Sequence, residues 1–259
     1  MISPMKSIFI SSLSFPFMAW AFALFGATSV HASVVINSTR IIYPQNDKEV
    51  TVRLESKNQA PVLIQAWLDS GDEHSTPDVA AIPFIATPPI FRMEPGKQQV
   101  VRLAYTGDNL TAKQESLFWF NLLEVPAQSQ DAKQANQLQL AFRSRIKLFL
   151  RPPNLPYGVD AAPAKLQWRH ESTERGQILE VYNPTPYHVT FDQIDVLEAK
   201  LRHTRKAALS GAENMVAPGG RNRFELPSLK SPPGAATTVE FQTLDDFGVR
   251  TSHSAKVSK

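Results

Sequence analysis

The sequence has 259 residues, with 27 Lys or Arg against 24 Asp or Glu and a formal net charge of +3. So even a balance gives no argument for polyanion binding, and no stretch resembles a nucleic-acid module, so no nucleic-acid partner is expected. The absence of cysteine excludes disulfides and thiolate-held metal, leaving core burial to hold the chain together.

Residues 1 to 32 carry one charge, Lys6, then an apolar run from Ile8 to Gly26 and the small-residue stretch Ala27-Thr28-Ser29-Val30-His31-Ala32. That order is a secretory signal. The Val30-x-Ala32 pattern puts the mature start at Ser33, and removing 32 of 259 residues leaves 227. The competing reading is an uncleaved anchor, because the run approaches the roughly 20 apolar residues that span a bilayer. Ser11, Ser12, Ser14 and Pro16 interrupt it, so a cleaved signal is preferred. No later segment is apolar for long enough to cross a membrane, and the mature chain is expected to be a soluble secreted or periplasmic protein without membrane insertion.

Beyond the leader, apolar residues recur at every second position in short runs punctuated by Pro, Gly, Asn and Asp, which is strand-and-turn patterning. Val34 to Ile42 reads as a first strand. Val50, Val52 and Leu54 alternate with Thr51 and Arg53, and Val62, Ile64, Ala66 and Leu68 follow a turn, giving two half-buried strands. Gln99 to Tyr105 is another, Leu117 to Val125 suits a central core strand, and Gln137 to Leu150 is a long last one. A cis bond is expected at Thr87-Pro88-Pro89. Three prolines within Arg151-Pro152-Pro153-Asn154-Leu155-Pro156 mark a boundary, so the domains are expected at 33–152 and 153–259. In the second, Gln177 to Tyr182, His188 to Val196, Arg223 to Leu226 and Thr237 to Leu244 read as strands, with Lys200 to Lys206 and Gly211 to Pro218 as solvated loops. The fold class is therefore all-β, two sandwiches.

A search for chemistry finds little. His74, His170, His188, His203 and His253 sit in no metal-ligand spacing. The acidic segment Asp69-Ser70-Gly71-Asp72-Glu73-His74 with Asp78 lacks the ligand spacing of an EF-hand and reads as a solvated turn. No nucleophile elbow, phosphate-cradling glycine loop or dinucleotide fingerprint occurs. The adjacent carboxylates Asp245 and Asp246 would point to opposite faces of a strand. No metal, no cofactor and no enzymatic activity are expected. The long strand is less ordinary, with Leu138, Leu140, Phe142, Ile146 and Leu148 on one alternation and Gln137, Gln139, Arg143, Arg145 and Lys147 on the other. It fits either a central core strand or a partner-binding edge.

Five strings resemble the periplasmic pilus-assembly chaperones of the PapD family. They are Ser38-Thr39-Arg40, the run from Ala86 to Gly96, the run from Glu115 to Leu122, Arg145 to Pro152, and Asn183-Pro184-Thr185-Pro186-Tyr187. The resemblance covers nearly the whole mature chain. It implies two immunoglobulin-like domains in a boomerang, and a periplasmic chaperone that delivers pilus or fimbrial subunits to an outer-membrane usher. It further implies that Arg40 and Lys147 grip the subunit's C-terminal carboxylate, while the edge of the Leu138, Leu140 and Phe142 segment lends the subunit a strand. Since Lys147 would point away from those three side chains in a regular strand, a bulge or twist between Arg143 and Ile146 is expected. Glu115, Arg151 and Asp246 match an interdomain charge triad. The loop from Pro126 to Ala135 resembles the short-loop class, and the domain-two disulfide of some members cannot form here. Whether the free protein caps its strand as a homodimer stays open. Two other readings remain, a secreted self-associating adhesin or pilin-like sandwich and a hydrolase with no visible nucleophile.

Overall fold

A computed structural model describes residues 33–78, 82–107, 113–127, 139–174, 176–198, 201–206, 208, 211, 213–232, 234 and 237–258. Residues 33–259 form one compact unit. Among the described residues it begins with nine strands: β1 (Val34–Ile36), β2 (Arg40–Pro44), β3 (Val50–Ser56), β4 (Val62–Asp69), β5 (Phe84–Thr87), β6 (Ile90–Met93), β7 (Gln98–Tyr105), β8 (Ser116–Pro126) and β9 (Phe142–Arg151). They form two sheets, in the orders β1-β3-β7-β5 and β2-β9-β8-β4-β6.

Alternation decides which side chains meet between the layers. In β3, Val52 and Leu54 turn inward while Thr51 and Arg53 face water, and Tyr43, Ile64, Leu103, Phe120, Leu148 and Leu150 complete the core. Burying each large apolar side chain contributes roughly 1.5–3 kcal/mol. In β4 and β8 the opposite alternation is buried too, through Trp67, Asp69, Trp119 and Asn121. The outer face of the five-stranded sheet is therefore covered around those four residues, while Leu63 at the other end of β4 stays exposed, and polar groups taken from water there must find partners.

Several expectations need correction. The run from Val34 to Ile42 is two strands in different sheets, because the chain turns at Asn37, whose N–H donates to the Arg53 carbonyl, before Arg40 joins β9. The last strand of this half begins at Phe142 rather than Gln137. Its partner β8 ends at Pro126, which has no N–H to give, and Glu124 opposite Phe142 is the last rung. Between Phe142 and Leu150 the register with β8 is unbroken, so the bulge expected between Arg143 and Ile146 is absent. Leu138 lies outside the described residues, as does most of the loop from Pro126 to Ala135. The Thr87–Pro88 bond is cis.

Eight strands follow among the described residues: β10 (Gln167–Thr173), β11 (Gly176–Tyr182), β12 (Val189–Glu198), β13 (Leu201–Thr204), β14 (Met215–Val216), β15 (Arg221–Glu225), β16 (Thr238–Leu244) and β17 (Arg250–Ser258). Their order is β13-β12-β16-β17-β10-β11-β15, with β14 on β12. The core is aromatic at its centre, where Phe191 makes edge contacts with Trp168, Phe224 and Phe241. Lys200 to Lys206, expected as a loop, contains edge strand β13. Its charges suit an edge, where they discourage pairing with another chain.

Candidate partner-binding site

The parallel pairing of β2 with β9 sets Arg40 directly opposite Lys147. Both lie on the outer face of the sheet, because odd positions of β9 point away from the core that Ile146, Leu148 and Leu150 enter. Arg40 is only 9 % exposed and Lys147 8 %. Each is oriented by one backbone carbonyl from the second half of the chain. Arg40 Nη1 donates to the Leu244 carbonyl at 3.0 Å, and Lys147 Nζ donates to the Gly211 carbonyl at 2.9 Å. Neither cation forms an ion pair among the described residues, and Arg40 Nε is buried without a hydrogen-bond partner.

Two cations side by side and out of water are costly. Burial, with the Arg40 charge adding to it, lowers Lys147 to about 8. Burial also lowers Arg40, against the pull of Asp246, Asp245 and Glu115. An anion between them would remove the repulsion and accept hydrogen bonds from both, the strong charge-assisted kind that fixes position.

The edge beside this pair is open. β2 covers β9 only from Lys147 to Arg151, so Phe142 to Ile146 have β8 on one side and no strand on the other among the described residues. Leu140 and Phe142 are each 54 % exposed. Phe142 shares the inward alternation of Leu148, but it stands beyond the end of the core and finds nothing to cover it.

The same outer face carries a network that sequence reasoning missed. Asp69, read as part of a solvated turn, is the buried last residue of β4 and accepts from Arg145 at 2.6 Å and from Asn121 at 2.7 Å. Burial alone would raise its pKa, yet the bonds from Arg145, Asn121 and the Gly71 N–H hold it below the usual carboxylate value. The Arg145 guanidinium lies 4.1 Å from the centre of the Trp119 ring, and that of Arg143 lies 4.9 Å from the centre of Trp67. Such contacts restrain both arginines, and Lys147 Nζ shares the Trp119 ring with Arg145, at 5.7 Å from its centre. The signal was present in the sequence: an Asn and a Trp at the outward positions of an otherwise apolar strand.

Glu115, Arg151 and Asp246 are brought together. Arg151 donates to Glu115 at 2.7 Å through Nε, and to both Asp246 oxygens at 2.6 and 2.8 Å. Sequence reasoning missed a fourth member, since the His188 N–H donates to Glu115 at 2.8 Å and its ring lies 5.4 Å from that of Phe149.

Known proteins share this architecture. The family described as pili and flagellar-assembly chaperone, PapD N-terminal domain, matches residues 33–156, and that of the pili assembly chaperone PapD, C-terminal domain, matches 161–255. The chain is 40 % identical over 227 residues to a probable fimbrial chaperone YadV of Escherichia coli K12, covering 86 % of this chain and 89 % of that one. It is 35 % identical over 236 residues to the chaperone protein FimB/FhaD of Bordetella pertussis, covering 90 % and 91 %. A crystal structure of YadV chaperone superposes with a TM-score of 0.73 at 36 % identity, covering 87 % of this chain and all of the other.

Proposed function

This chain belongs to the PapD family of pilus-assembly chaperones, and from that premise we propose that it clamps the C-terminal carboxylate of a pilus or fimbrial subunit between Arg40 and Lys147 while lending it the edge of β9. The observation that carries this reading is the open edge from Phe142 to Ile146, which ends at two buried cations lacking an anion. A segment entering the row that β2 vacates, with its last residue at Lys147, extends back toward Phe142 and so runs parallel to β9. Backbone ladder bonds then give direction. Phe142, Leu140 and Leu138 fill the apolar groove of the incomplete subunit, each contributing roughly 1.5–3 kcal/mol if fully buried.

The role needs no cofactor and no catalysis. Glu115, Arg151 and Asp246 hold the two domains, divided at residue 152, in the orientation that presents the cleft. The leader at residues 1–32 directs the chain to the periplasm, where it passes subunits to an outer-membrane usher. Before a subunit arrives, the exposed edge is covered by a second copy as a self-capping dimer, since free edges with apolar side chains recruit strands. Co-expression with a cognate subunit tests the clamp. Arg40→Ala and Lys147→Ala should each abolish co-purification of the subunit while the chaperone itself stays folded, and undiminished complex would rule the clamp out.

A further inference from the structure

Glu124 in β8 is a buried carboxylate, 6 % exposed, that forms no ion pair among the described residues. Asp69, Glu115, Glu180 and Asp195 are also buried, and each is matched to an arginine. Glu124 instead gathers neutral donors: the Val34 N–H at 2.7 Å, the Ser33 hydroxyl at 3.0 Å and the Asn58 side-chain N–H at 2.8 Å. A buried charge without a counter-charge is expensive, and every one of these donors lies at or beside the start of β1.

The backbone there suggests where the missing cation comes from. Ser33 has φ 79°, a left-handed conformation that costs a non-glycine residue free energy. That restraint exists only while residue 32 is attached. Ser33 N already donates to Asn58 Oδ1 at 3.2 Å, and the hydroxyl of the same residue touches Glu124.

We propose that Glu124 is the receptor for the α-ammonium of Ser33 in the processed chain, with Asn58 as the second acceptor. The proposal rests on the reading of residues 1–32 as a leader removed after Ala32. A peptidase adds water across that amide: the water oxygen bonds to the Ala32 carbonyl carbon, the C–N bond breaks, and Ala32 departs as a carboxylate. Both water protons end on the Ser33 nitrogen, which becomes the cation that Glu124 lacks. Glu124 stands opposite Phe142, so processing would fasten β1 by charge to the rung where the donated segment begins.

The test uses the full chain, exported with its leader and purified. N-terminal sequencing and intact mass read the start, and acylation at pH 6.5 followed by peptide mapping reads the free base of the α-amine. The expected start is Ser33, with acylation about tenfold slower than in Glu124→Gln, because a pKa raised by about one unit above the ordinary α-amino value cuts the free base tenfold. Should Glu124→Gln fail to fold, a chain carrying one extra alanine ahead of Ser33 displaces the amine by about 3.8 Å and should likewise react at the ordinary rate. A start other than Ser33 overturns the leader premise and the proposal with it. A start at Ser33 with equal reactivity in wild type and variants overturns the Glu124 assignment alone.

Discussion

Lys147 gives up its proton at about 8 in the free protein, because burial and the neighbouring Arg40 both disfavour its charge. A carboxylate in the cleft favours the charged form, so binding and protonation help one another. Affinity for a subunit is therefore expected to be flat below about pH 7 and to fall by about tenfold per pH unit above about 8. Titrations between pH 6 and 9.5 check this. Lys147→Arg, whose guanidinium keeps its proton throughout, should flatten the profile. Stability of the free chain moves the other way. Between about 8 and the ordinary value of 10.5 the unfolded chain holds a proton that the folded chain lacks, so stability rises with pH across that window and the cost of the buried ammonium is fully present below it. Urea unfolding should find Lys147→Met more stable than wild type at pH 7, by a margin that narrows at pH 9.5.

β9 combines two kinds of strand in one. From Lys147 onward it is sandwiched between β2 and β8, and Leu148 is fully buried. From Phe142 to Ile146 it is an edge. Leu148→Ala should cost about 2–5 kcal/mol in unfolding, the usual penalty of a core truncation. Phe142→Ser should leave stability within about 0.5 kcal/mol, as at other surface sites, yet weaken subunit capture. An assay that finds the reverse order would move the donated segment elsewhere. The alternation of β3 and β7 was legible in the sequence because each has one face in the core and the other turned mostly to water. The start of β9 was not, because the apolar run continues through Leu138 and Leu140 where no partner strand remains. Asp69 was misread for a related reason: a carboxylate beside Ser70 and Gly71 looks like a turn until Arg145 and Asn121 arrive from strands distant in sequence.

For the molecule as a whole, the placement of the cations Arg40 and Lys147 depends on both halves of the chain. Leu244 and Gly211 orient the two cations, and Arg151 ties Glu115 to Asp246. Arg151→Ala leaves Glu115 buried without its cation and should cost roughly 3–5 kcal/mol, seen as an earlier denaturant midpoint together with weaker subunit binding. Such long-range closure is invisible to local patterning. Only the resemblance suggested that Glu115, Arg151 and Asp246 belong together, and it gave no hint of His188. The most direct test of the clamp compares two peptides copying the last strand of a subunit, one ending in a free carboxylate and one in an amide, titrated against the chaperone at pH 7. Charge-assisted hydrogen bonds from two buried cations, at about 1.5–3 kcal/mol each, predict that the amide binds at least about a hundredfold more weakly. Equal affinity for the two peptides would contradict the account.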